Sequence, residues 1–112
     1  MKRGEVWWAA LDEPVGSEPG YRRPVVIVSA NEFNQSKIKT VLVAMVTSNL
    51  RLVEAPGNFS ISKKDSGLSK ESAVNISQVL TLDKSLLSEK SGKLPSNKIL
   101  MLNEGLRLVF SI

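Results

Sequence analysis

Neither cysteine nor histidine occurs in this chain. Without cysteine there is no disulfide and no thiolate nucleophile. Without either residue, zinc sites of the usual kind and the commonest general base are excluded. The acidic residues are scattered along the chain, and no set of them is spaced to hold a catalytic ion. Long apolar runs are missing too: the longest clean one, Val41 to Val46, is far too short to cross a bilayer. The N-terminus, Met1-Lys2-Arg3-Gly4-Glu5, reaches an acidic residue at once and carries no apolar segment of signal-peptide length. These absences predict a soluble cytoplasmic protein that works without membrane, metal or cofactor.

What is present fits one modest core: 112 residues, read as a single domain over 1–112 with no repeat, linker or low-complexity segment. The formal charge is +4 and the sequence pI about 9.6. Seven basic residues face six acidic ones up to Pro56, and eight face five beyond it. The surplus is mild and spread out. It permits a nucleic acid partner without demanding one.

One stretch stands out. Gly16-Ser17-Glu18-Pro19-Gly20-Tyr21-Arg22-Arg23-Pro24 runs straight into the apolar segment Val25-Val26-Ile27-Val28-Ser29. The glycines permit backbone angles that other residues resist, and the prolines stiffen the path. Pro24 biases Arg23 toward an extended conformation, because its ring clashes with a helical predecessor. Arg23 is therefore expected to project rigidly from a strand mouth, with Arg22 facing roughly the other way.

Hydrophobic periodicity predicts short strands at regular intervals. Glu5 to Leu11 reads as the first, with Trp7 and Trp8 on opposite faces, one in the core and the other against a second element or another chain. Val25 to Ser29 and Thr40 to Val46 read as central strands. Asn31 to Ser36 reads as a turn or short helical segment, Phe59 to Ser62 as an edge strand, and Lys63 to Gly67 as a polar turn. In Ala73 to Val79, Val74, Ile76 and Val79 are expected to face inward and Asn75 and Ser77 outward. Thr81 to Lys84 predicts a cap on a helical turn running through Leu87, and Gly92 to Pro95 a break. Ser96 is expected to cap a helix from Asn97 to about Val109, with Ile99, Leu102, Leu106 and Val109 on one face. The sum is a small, mainly β, barrel-like fold with one terminal helix.

Three polar sets then gather at predicted strand mouths: Ser17 to Arg23, Thr47 to Asn49, and Asn75 to Gln78. None holds a catalytic triad, a glycine-rich nucleotide loop or a metal cage. At these residues the chain resembles the MazF/PemK family of toxin-antitoxin endoribonucleases. The resemblance rests on Arg3-Gly4-Glu5-Val6-Trp7-Trp8, on Val15-Gly16-Ser17-Glu18 followed by Arg23-Pro24, and on Val46-Thr47-Ser48. Gly67-Leu68, Ser72-Ala73-Val74 and Gln78-Val79-Leu80-Thr81-Leu82-Asp83-Lys84 follow in family order. It implies an SH3-like barrel of the CcdB/MazF type with short helices, assembled as a homodimer. It implies metal-independent cleavage of single-stranded RNA to 2′,3′-cyclic phosphate and 5′-hydroxyl ends, and a cognate antitoxin with an acidic C-terminal segment. By position, Arg23 matches the catalytic arginine, Thr47 the assisting hydroxyl and Glu18 the loop carboxylate proposed as an acid-base group. Ser17, Tyr21, Arg22, Ser48, Asn49, Asn75, Ser77 and Gln78 are the expected RNA contacts. Pro19 stands where the family usually has glutamine and Tyr21 where a second glycine is common. Ser17 and Ser77 replace a histidine and an aspartate that some members use, which shifts weight onto Arg23 and Thr47.

Attack of a ribose 2′-hydroxyl on the adjacent phosphate needs charge stabilisation on the phosphoryl oxygens and proton movement at both ends. A guanidinium grips two phosphate oxygens at once but does not give up a proton. Glu18 is then the nearby candidate base. Two other readings compete: a non-catalytic CcdB-like toxin that inhibits DNA gyrase, and an RNA-binding barrel without cleavage. An arginine-proline loop paired with Thr47 favours the nuclease, because a protein-directed poison has no chemical need of it.

Overall fold

The computed structural model describes residues 1–11 and 21–112. Six antiparallel strands carry the fold: β1 (Glu5–Ala10), β2 (Arg22–Ile27), β3 (Thr40–Thr47), β4 (Phe59–Ile61), β5 (Ser72–Asp83) and β6 (Leu87–Lys93). Three α-helical segments accompany them: α1 (Asn31–Gln35), α2 (Lys63–Ser66) and α3 (Ser96–Phe110). Two 3-10 turns complete the set, at Leu50–Glu54 and Lys84–Leu86. The strands form one curled sheet in the order β4-β5-β3-β2-β1-β6. The mainly β class with a terminal helix is as expected; the hydrogen-bonded sheet is open, a half-barrel.

The apolar runs in β2 and β3 are continuous because both faces of the sheet are covered there. Val6, Val26, Val46, Val74 and Ile76 pack on one face with Leu102 of α3, while Ala9, Val25, Ile27, Val41 and Val43 pack on the other. Successive strand residues point to opposite faces, so each run feeds both clusters. Trp7 and Trp8 divide in the same way, Trp7 against the second cluster and Trp8 against the first. Each finds its packing within the described chain.

α2 bridges the gap between the two edge strands. Gly67 ends it in the left-handed conformation (φ 72°), which glycine adopts without a Cβ clash. Its backbone and that of Gly92 in β6 then approach so closely that a Cβ on either would strike the other segment. The Ser91 hydroxyl donates to Ser66 O at 2.8 Å and fastens the contact.

Several local expectations are corrected. β6 follows directly on the Lys84–Leu86 turn, where the sequence predicted no strand. Its Leu87 is the single strong apolar residue in LSEKSGK, yet it pairs along the otherwise free edge of β1. The turn itself is capped as expected, Asp83 accepting from Ser85 N at 2.8 Å. Pro95, not Ser96, holds the N-cap of α3 in extended geometry. Its fixed φ suits that position, and its carbonyl accepts from Lys98 N and Ile99 N. On α3, Ile99, Leu102 and Leu106 pack onto the sheet, but Val109 is 40% exposed beyond it.

Asn75 is buried rather than facing outward. The reason is a bulge in β5: Met45 pairs with Asn75, but the next residue back, Ala44, pairs with Val79. Ile76, Ser77 and Gln78 are looped out of the ladder and the alternation breaks. Asn58 Oδ1 accepts the Ile76 N–H at 2.9 Å, and Asn75 bonds Asn58, Ser77 and Gln78.

Candidate functional site

The site begins with a proline that interrupts a ladder. β2 and β3 pair in the register Val25↔Met45, Val26↔Ala44, Ile27↔Val43. Continued by two steps, that register would set Arg23 opposite Thr47. It stops at Val25, because Pro24 has no N–H with which to extend it. On the far side β2 stays paired to β1, with Arg23 opposite Ala9 and Pro24 opposite Trp8. β3 likewise stays paired to β5, with Thr47 opposite Ala73. Two well-supported strand ends thus stand beside each other, and the Val46 carbonyl finds no N–H on Pro24 to accept from.

The Arg23 side chain enters this opening. Its Nη2 donates to Val46 O at 3.4 Å, one of the carbonyls the interrupted ladder leaves over. Its Nη1 donates to the Tyr21 hydroxyl at 2.6 Å, and the guanidinium lies 5.7 Å from the Tyr21 ring centre. Thr47 Oγ1 accepts the Asn49 N–H at 3.1 Å, which leaves the threonine O–H proton free to donate.

A pocket of about 430 Å³ opens here, lined by Tyr21, Arg23, Pro24, Thr47 and Ser48, with Trp8 and Val46 at its apolar side. Its remaining wall comes from residues 67–71, between α2 and β5, and from the first residue of β5: Leu68, Ser69, Lys70 and Ser72. The Ser72 hydroxyl donates to Lys70 O at 3.0 Å and ties that segment to the strand. Among the described residues the lining holds two cations, two aromatic rings, four aliphatic hydroxyls and no carboxylate. Such a lining suits an anion attached to a planar group, as in a nucleotide.

The expected site residues separate into groups. Tyr21, Arg23, Thr47 and Ser48 meet in the pocket. Arg22 turns away, as Pro24 led us to expect: it lies 5.1 Å from the Trp8 ring centre and reaches Glu89 Oε2 at 3.5 Å. Asn49 caps the Leu50–Glu54 turn by accepting from Arg51 N at 3.2 Å. Asn75, Ser77 and Gln78 belong to the β5 bulge and do not line the pocket; Ser77 and Gln78 are exposed there, and Asn75 braces them. Ser17 and Glu18 lie outside the described residues. The sequence reading did not single out Trp8, Ser69, Lys70 or Ser72 as site residues. The signal for the last three was faint: a polar run between Gly67 and a strand, the same arrangement as in the loop before β2.

The likeness to known proteins runs along the whole chain. A family model described as PemK-like, MazF-like toxin of type II toxin-antitoxin systems matches residues 2–110. Endoribonuclease MazF6 of Mycobacterium tuberculosis is 35% identical over 112 residues, spanning 100% of this chain and 98% of its own. Endoribonuclease MazF2 of Mycobacterium bovis is 35% identical over the same span. In fold, the chain is similar to a mycobacterial endoribonuclease solved in complex with its cognate antitoxin (TM-score 0.79, 22% identity, 100% of this chain and 96% of that one). It is equally similar to a MazE-MazF structure from Deinococcus radiodurans (TM-score 0.80, 20% identity, 100% and 96%). With a family model covering nearly its whole length and full-length relatives at this identity, the chain belongs to the PemK/MazF family of type II toxin-antitoxin toxins.

Proposed function

We propose that this toxin is a metal-independent endoribonuclease that cuts single-stranded RNA at selected sequences in the cytoplasm, by attack of a ribose 2′-hydroxyl on the adjacent phosphate. Endoribonuclease activity agrees with the full-length relatives that carry that name. The observation that carries the chemistry is the meeting of Arg23 and Thr47 at the interrupted β2–β3 ladder, in a pocket whose described lining has no carboxylate. A phosphate there meets fixed donors, and none of the described lining residues carries a negative charge.

In this reading Arg23 grips the non-bridging oxygens as charge builds on them, and the Thr47 hydroxyl donates to the same oxygens. Donors held in place before the reaction cost no reorganisation during it. Glu18 takes the 2′-hydroxyl proton. Tyr21 and Ser48 contact the nucleotide in the pocket, while Ser17, Arg22, Asn49, Ser77 and Gln78 extend the RNA track around it. Asn75 acts through the two bulge residues it braces. The toxin works as a homodimer, and a cognate antitoxin silences it by laying an acidic C-terminal segment across the cationic rim.

Incubating the purified protein with a long mixed-sequence RNA in excess EDTA tests this directly. The expected products are discrete fragments with 2′,3′-cyclic or 3′-phosphate and 5′-hydroxyl ends. A requirement for Mg²⁺ with 3′-hydroxyl products would refute the mechanism.

A further inference from the structure

Moving a 2′-hydroxyl proton to a base completes only half of the proton traffic; the departing 5′-oxygen needs one as well. The guanidinium of Arg23 does not supply it, because arginine holds its proton throughout the accessible pH range. Histidine is absent from the chain. Among the described residues that line the pocket, the side chains able to release a proton to an alkoxide are the phenol of Tyr21 and the ammonium of Lys70, apart from ordinary aliphatic hydroxyls.

The geometry separates these two. Lys70 comes from the segment between α2 and β5, and among the described hydrogen bonds none joins it to Arg23. Tyr21 is built into the catalytic arginine's own surroundings. Its carbonyl accepts the Leu11 N–H at 2.9 Å, which continues the β1–β2 pairing and fixes the Tyr21 backbone. Its hydroxyl oxygen receives Arg23 Nη1 at 2.6 Å. That bond has a direction: the oxygen is the acceptor, so the phenol's own proton points elsewhere and is free to be donated. A phosphate gripped on the Nη1 side of Arg23 would lie beside that hydroxyl.

Resting on the endoribonuclease reading above, we infer that Tyr21 is the general acid of this toxin and protonates the leaving 5′-oxygen. The 2′-oxygen forms its bond to phosphorus as the P–O5′ bond breaks, and the electron pair leaves on O5′. Tyr21 Oη gives its proton to O5′, yielding the 5′-hydroxyl end, while the 2′-hydroxyl proton passes to the base. Water then reprotonates the phenolate and takes up the proton held by the base, so the net change moves one proton from the 2′-oxygen to the 5′-oxygen.

A leaving-group substitution tests this assignment. Tyr21→Phe keeps the ring that faces Arg23 and removes only the hydroxyl. It is expected to slow cleavage of ordinary RNA by about 10²-fold or more. The same variant is then assayed on RNA with sulfur replacing the bridging 5′-oxygen at the cleavage position, whose thiolate departs without protonation. There the variant is expected to match the wild type, while Arg23→Ala remains slow on both substrates. If Tyr21→Phe cleaves ordinary RNA at the wild-type rate, or is equally impaired on both substrates, Tyr21 is not the acid. The second outcome would leave it a residue that merely positions Arg23. A wild-type protein that fails to cleave ordinary RNA overturns the endoribonuclease reading and this inference with it, whereas an active wild type confines the failure to Tyr21.

Discussion

Neighbouring arginines with the same side chain have been given different work by one bond's worth of backbone. Arg23 points into the pocket and Arg22 lies against Trp8 because consecutive strand residues face opposite ways. Arg23→Ala is expected to lower the cleavage rate by about 10²–10³-fold with little change in thermal stability, since a preorganised donor is lost and no core contact goes with it. Arg22→Ala should act mainly on affinity and flatten its salt dependence by about one phosphate contact. The Arg22–Glu89 pair is solvent-exposed on both sides, so its loss should barely move the melting temperature. Rates and melting curves for the two variants, measured side by side, check both statements. An active Arg23 variant beside a dead Arg22 variant would reverse the assignment.

At the scale of elements, the interest lies in how the sheet's edges are held. β6 is too polar to be kept by burial alone, and one anchor on β1 is Glu5. Its carboxylate accepts from Lys2 N at 2.8 Å and Trp7 Nε1 at 3.1 Å, and it meets Lys90 Nζ of β6 at 3.0 Å. Burial alone would raise its pKa; those hydrogen bonds and the Lys90 charge outweigh it and hold the group down at about 2. A carboxyl with a lowered folded-state pKa stabilises the fold above its unfolded value and loses that contribution as pH falls toward the folded one. The loss should therefore run from about pH 4.5 down to about 2 and amount to about 1 kcal/mol, after allowing for solvent around the half-exposed Lys90. Urea melts across that window should show a shallower acid decline in Glu5→Gln than in the wild type. α3 is docked by a different device. A Cβ on Gly105 would sit 2.5 Å from Gly57 O, so helix and turn touch backbone to backbone. Gly105→Ala gains helix propensity but forces the two apart, and should destabilise by about 1–3 kcal/mol. A variant melting at or above the wild-type temperature would show that the contact yields.

For the whole molecule, the apolar surplus sits elsewhere than the sequence led us to expect. Trp7 and Trp8 are both accommodated, one on each core cluster, so neither calls for a partner. Among the described residues, six of the eleven exposed large apolar side chains lie on or just after α3: Leu100, Met101, Leu108, Val109, Phe110 and Ile112. Such a concentration of exposed apolar side chains is a common mark of an interface. The proposed homodimer should use it, and Leu108→Glu, a change at a 60% exposed position, should weaken the dimer while sparing the fold. Light scattering at micromolar concentration reads the result. A wild type that stays monomeric and fully active would refute the dimeric enzyme. The acidic antitoxin segment makes a second expectation at this scale: its affinity should fall steeply with salt, because it competes with RNA for Arg22, Arg23 and nearby lysines. Titration of an acidic peptide at rising ionic strength measures that fall.

The sequence by itself determined the parts whose cause is local. Alternating and continuous apolar runs marked β1, β2, β3 and β4, because side-chain periodicity and β-branching act on neighbouring residues. Pro24 fixed the directions of Arg22 and Arg23 for the same reason, and the family motifs were legible from end to end. Only the tertiary structure decided the rest. β6 is a strand because β1 has an edge to fill, which no property of LSEKSGK announces. Asn75 turned inward because a bulge in β5, with Asn58 accepting one of its freed backbone N–H groups, shifted the register by three residues. Lys70 joined the pocket because its segment, between α2 and β5, lies across the β2–β3 opening. Periodicity reports which face a residue takes; which distant groups share that face is settled by the folding of the sheet.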